Sequence, residues 1–123
     1  MKYVLLSKDE EIIQAFQSPE AFLPSDELVV TQSKSEAILA TPGADMIFVD
    51  LLATFDEPHK IAGYEDFHDQ FEATPGTSGI AVVLIAAPTD YDIDFMVGWP
   101  DFVFAQMPRP VTSKLFRRAS TWI

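Results

Sequence analysis

The chain has no cysteine, so disulfides, thiolate nucleophiles and cysteine-held metals are excluded. That fits a reducing cytosol, and the expected location is cytoplasmic. Glycine is scarce: the five residues are scattered singly, so no glycine-rich phosphate cradle and no nucleophile elbow can be assembled. With only two histidines, His59 and His68, a tight zinc site has too few ligands. The longest apolar run, Ile80 to Ala87, is far too short to cross a bilayer. After Leu6 the amino terminus turns charged at Lys8-Asp9-Glu10-Glu11, which excludes a signal peptide there. Basic residues are few as well, 8 Lys and Arg against 19 Asp and Glu, and an acidic domain with net charge −11 lacks the basic footprint nucleic acid requires.

What is present is ordinary for a soluble globular domain: 123 residues, 48% apolar and 22% charged, enough for one core. The expectation is a single domain over residues 1–123. Charge is segregated along it. All 19 acids lie within residues 1–101, while residues 102–123 carry only Arg109, Lys114, Arg117 and Arg118. That basic tail reads either as a solvated helix face with its cations near the carboxyl end or as a docking face for an acidic partner.

Five apolar strands alternate with helical patterns. Lys2 to Leu6 is the first strand, and Ser7-Lys8-Asp9-Glu10 has the form of a capping box opening a helix through Ile12, Ile13 and Phe16. Leu28 to Thr31 is the second, followed by the box Ser33-Lys34-Ser35-Glu36 and a short helix ending before Pro42-Gly43. Met46-Ile47-Phe48-Val49-Asp50 is the third, apolar on both faces and ending in a carboxylate. Residues 51–57 read as a loop, with Pro58 opening a third helix that carries Ile61, Tyr64, His68 and Phe71 on one face. Ile80 to Ala86 is the fourth strand, a weak helix is expected around Ile93 to Val97, and Phe102 to Gln106 is the fifth strand. A last helix has Val111, Leu115, Phe116 and Ala119 on one side. Strands alternating with helices predict a flavodoxin-like (βα)5 doubly wound parallel sheet, strand order 2-1-3-4-5. The carboxyl ends of strands one and three then share a crevice, so Ser7, Lys8, Asp9 and Asp50 face one another there.

In this order of elements the chain resembles a response-regulator receiver domain, over nearly its whole length, by pattern rather than identity. The resemblance implies that Asp50 stands at the phosphoacceptor position. It also implies that Ser7 and Lys8 occupy the positions of the family's acidic pair, with Asp9 one step further, and that Ala86 stands where the family has Ser or Thr. The family's Lys-Pro pair falls on Met107-Pro108, with Phe104 as the switch aromatic, or in a second register on Arg109-Pro110, which retains a cation. These departures remove most of the chemistry. Mg²⁺ needs oxygen ligands, Ser7 and Lys8 supply no carboxylate, Ala86 has no hydroxyl for a phosphoryl group, and Met107 carries no charge. Lys8 could neutralise Asp50 directly in place of a metal. The expectation is a non-enzymatic pseudo-receiver without a resident metal or cofactor, Mg²⁺ entering only if Asp50 is phosphorylated. It meets a protein partner or a second copy through the face of helix four, strand five and helix five, with Phe95, Trp99, Arg109, Lys114, Arg117 and Arg118. Nucleic acid and membrane are not expected partners.

Three alternatives stay open. Asp50 could be an ordinary strand-end aspartate capping the next loop. It could be a working phosphoacceptor of a two-component phosphorelay, with Asp9 and Asp56 completing a Mg²⁺ site. Or the aromatic cluster Phe95, Trp99, Phe102 and Phe104 could stack on FMN in a small flavodoxin-like carrier, although core and interface roles suit those residues too.

Overall fold

In a computed structural model of the chain, described here for residues 1–94 and 103–123, five parallel strands form one sheet in the order β2-β1-β3-β4-β5. The strands are β1 (Lys2–Leu6), β2 (Glu27–Thr31), β3 (Met46–Asp50), β4 (Ala81–Ile85) and β5 (Ala105–Met107). The helices are α1 (Glu10–Gln17), α2 (Lys34–Ala40), α3 (Leu51–Thr54), α4 (Ala62–Ala73) and α5 (Ser113–Ala119). This is the flavodoxin-like α/β architecture expected from the sequence.

The continuous apolar runs make sense as strands covered on both faces, because successive side chains point to opposite sides. Tyr3, Leu5, Met46, Phe48, Val83 and Ile85 pack on one side with Ile12 and Phe16 of α1 and Phe116 of α5. There Phe116 meets Phe48 edge-on, ring centroids 5.0 Å apart, and Phe16 at 5.4 Å. Val4, Leu6, Ile47, Val49, Val82 and Leu84 pack on the other side with Ile38 of α2, Leu51 of α3, and Tyr64 and Phe67 of α4.

Several element boundaries differ from the sequence reading. Helix α1 is capped by Asp9, whose side chain accepts the Glu11 N–H, so Ser7 is not its cap. Residues 51–54 form a helical turn rather than loop, with Asp50 as cap accepting from Leu52 N–H. Helix α4 starts at Ala62, not Pro58, because His59 takes a positive φ of 65°, outside the helical region. Its buried face is Tyr64, Phe67 and Phe71; His68 sits at the margin beside Asp69 and Glu72. Strand β5 is shorter than the expected Phe102 to Gln106: Val103 and Phe104 are not in it, and it ends on Met107 rather than Gln106. Of the helix expected around Ile93 to Val97, Ile93 and Asp94 are described and are not helical; residues 95–97, and with them Phe95, Trp99 and Phe102, lie outside the described residues. Among the described residues no helix is long and apolar enough to cross a membrane.

Candidate functional site

The parallel register brings β1 and β3 level: Leu6 pairs with Val49, so Ser7 and Asp50 emerge together at the carboxyl edge of the sheet. Asp50 is 2% exposed. A carboxylate this deep must find partners for its oxygens or give up its charge. It finds three. Ser7 Oγ donates to Oδ2 at 2.9 Å. Leu52 N–H donates to Oδ1 at 3.2 Å, and Arg109 Nη2 donates to the same oxygen.

Arg109 reaches this point from the loop after β5, and the loop fixes its aim. Met107, the last residue of β5, pairs with Ile85, the rung that also pairs with Asp50, so the residues after it cross the sheet edge beside the carboxylate. The guanidinium is then held at three places. Nε donates to the Ala86 carbonyl at 2.9 Å, Nη1 to Asp9 Oδ2 at 3.3 Å, and Nη2 to Asp50. One planar cation thus ties the loops after β1, β3, β4 and β5 together, which the fork geometry of arginine suits and a lysine point charge does not. Ser7 completes the set by accepting the Asp9 N–H at 3.1 Å while donating to Asp50.

Burial pushes the Asp50 carboxyl above the ordinary carboxylate value. The Arg109 charge and the hydrogen bonds from Ser7, Arg109 and Leu52 act in the opposite direction without cancelling that rise.

Of the residues singled out in the sequence, Ser7, Asp9, Asp50 and Ala86 meet here. Lys8 is exposed, and the cation on Asp50 is Arg109 instead, because the turn after β1 sends the Ser7 side chain inward and leaves Lys8 at the surface. Met107 is fully buried in the core, and in space it is the Arg109-Pro110 register that places a cation on Asp50. Phe104 is level with Val82, whose carbonyl accepts its N–H at 2.8 Å, three rungs back from Asp50, and its side chain is 54% exposed. Counting three residues back from Arg109 gives Gln106, an exposed amide rather than an aromatic.

Asp56 does not join Asp9. It pairs with Lys34 at 2.9 Å, and Lys34 also donates to the Gly63 carbonyl at 3.3 Å. Among the described residues no group of three or more His, Cys, Asp or Glu side chains converges as a metal site. Lys114, Arg117 and Arg118 are exposed on α5.

Sequence reasoning missed one further feature, the grip between the loops after α3 and β4. His59 stacks on Tyr91 with centroids 4.3 Å apart, its N–H donates to Tyr91 Oη at 3.0 Å, and Asp94 Oδ1 accepts the Ile61 N–H at 2.8 Å. No local pattern announces it, since the partners lie 32 and 33 residues apart.

No family model, no curated protein and no solved structure matches the chain.

Proposed function

We propose that the domain is a receiver-like signalling module that works by protein–protein contact, with Asp50 held out of phosphoryl chemistry by Arg109. The observation that carries this reading is the guanidinium on Asp50: it contacts Oδ1, one of the two carboxylate oxygens available to a phosphoryl group or a metal. The second oxygen is taken by Ser7. Phosphoryl transfer to a carboxylate depends on positioning and on a cation that neutralises the incoming oxygens, usually Mg²⁺ with carboxylate ligands. Here the fixed cation already sits on the acceptor, and Asp9, the other carboxylate at hand, is bound to the same cation. Asp50 then serves as an anchor, holding the loop before α5 in one place. The exposed Lys114, Arg117 and Arg118 on α5 are the contact residues of the module, arginine being enriched where interfaces concentrate their energy.

The test is incubation of the purified domain with acetyl phosphate and Mg²⁺, followed by intact-mass measurement. The expected result is no gain of a phosphoryl group. A gain that disappears in Asp50→Asn overturns the proposal and makes Asp50 a phosphoacceptor.

A further inference from the structure

A cleft of about 540 Å³ opens beside the Arg109 cluster, between the first turn of α1 and the loops that follow β4 and β5. Its size is that of a small-molecule or single-side-chain pocket, and it lies at the carboxyl edge of the strands, where open α/β sheets take their ligands. Its walls are apolar: Ile12, Ala87, Pro88, Pro108, Pro110 and Val111. Three of these are prolines, whose fixed φ keeps the two loops from collapsing inward.

Apart from Arg109, the charged groups lining the cleft have one sign. Arg109 lines it, but its guanidinium is committed to Ala86, Asp9 and Asp50, and two carboxylates offset its single charge. Glu11 and Asp90 add two more carboxylates, both exposed, one from α1 and one from the loop after β4. The cleft is therefore lined by three carboxylates, Asp9, Glu11 and Asp90, against one guanidinium that is also bound to the buried Asp50. The nearest remaining polar groups, Thr89 and Gln106, are neutral. A cavity with apolar sides and a negative mouth suits a ligand with an aliphatic stem and a positive head. The stem replaces water along the prolines and Val111, and the head stays at the mouth near Glu11 and Asp90, as long cationic side chains do on apolar surfaces.

We infer that this cleft binds a guanidinium or ammonium group carried on an aliphatic stem, either a free diamine-type metabolite or the Arg or Lys side chain of a partner protein. The inference stands on the cleft's own walls and charges, and it holds whether or not Asp50 accepts phosphate.

The experiment is an amide-resolved NMR titration of the intact domain with three probes: agmatine, Nα-acetyl-arginine amide and guanidinium chloride. Saturable shifts are expected at the amides of Ala87, Thr89, Asp90 and Val111. The two stemmed probes should bind at least tenfold more tightly than bare guanidinium. Agmatine ahead of the acetylated arginine identifies a free amine as the natural ligand class; the reverse order identifies a partner's side chain. A Glu11→Gln/Asp90→Asn double variant should bind at least tenfold more weakly, with its remaining resonances unmoved as a check on folding. Glu65→Gln/Asp66→Asn, which removes the same charge from exposed positions on α4, should bind as the wild type does. Absence of saturable shifts at these amides overturns the inference. So does equal weakening in the α4 variant, since that is the signature of general attraction to an acidic molecule.

Discussion

Arg109 is the residue on which the site depends, because it shares a buried carboxylate and is itself only 15% exposed in its side chain. Removing one partner of such a pair leaves the other charged and unsatisfied, a loss of about 3 kcal/mol or more. Arg109→Met should cost about that much at neutral pH by urea denaturation. The pH dependence has a definite sign. The folded-state pKa of Asp50 lies above its unfolded value, so its contribution to stability is full below the unfolded value and is lost as pH rises through the folded one. Without Arg109 the folded value rises further, and the same loss extends over a wider range. The penalty of Arg109→Met should therefore shrink on acidification, toward roughly 1 kcal/mol for the orphaned Ala86 carbonyl. A penalty that grows toward low pH would contradict the pairing. Ser7→Ala removes a donor to the same buried charge and should cost about 2 kcal/mol, with the same sign of pH dependence. The sequence could not distinguish these roles. Ser7 has the form of a helix cap until its hydroxyl is claimed by a carboxylate 43 residues away.

At the level of elements, the unforeseen helical turn α3 matters because α4 leans on it through Gly63. A Cβ at that position would lie 2.3 Å from the Thr54 carbonyl oxygen and 2.7 Å from the Asp56 nitrogen, both backbone atoms. Alanine gains about 1 kcal/mol over glycine inside a helix. Here that gain is outweighed by a clash that only a shift of α3 or α4 can relieve. Gly63→Ala should destabilise by about 2 kcal/mol net, measured as a fall in urea midpoint at unchanged m. A stabilised variant would show that the two elements are further apart. The strands were legible in the sequence because Met46–Val49 and Ala81–Ile85 are apolar on both faces, a pattern set by local composition. Helix α3 and the starting point of α4 were not, because they come from tertiary facts. Asp50 caps a turn as well as holding Arg109, and His59 leaves helical φ to stack on Tyr91. The partner of Asp50 was left open for the same reason: Lys8 after β1 and the Arg109-Pro110 register both offered a cation, and only the rungs joining β3, β4 and β5 bring Arg109 to the carboxylate.

Across the whole molecule the governing quantity is a net charge of −11 on a domain of 123 residues. Such a chain has a radius of gyration of about 14 Å. At an ionic strength near 0.01 M the Debye length is about 30 Å, so every surface acid repels every other; near 0.15 M it falls to about 8 Å and only neighbours interact. Unfolding separates the charges, so their repulsion weighs against the compact state and salt relieves it. Raising NaCl across that range should therefore raise the urea midpoint of the wild-type protein. The Asp50–Arg109 pair lies below the reach of that screening, since Asp50 is 2% exposed. The difference between wild type and Arg109→Met should accordingly stay constant while both midpoints climb. If the difference instead fades with salt, Arg109 acts as one more surface cation relieving a general repulsion, and the view of it as a buried clasp on Asp50 fails.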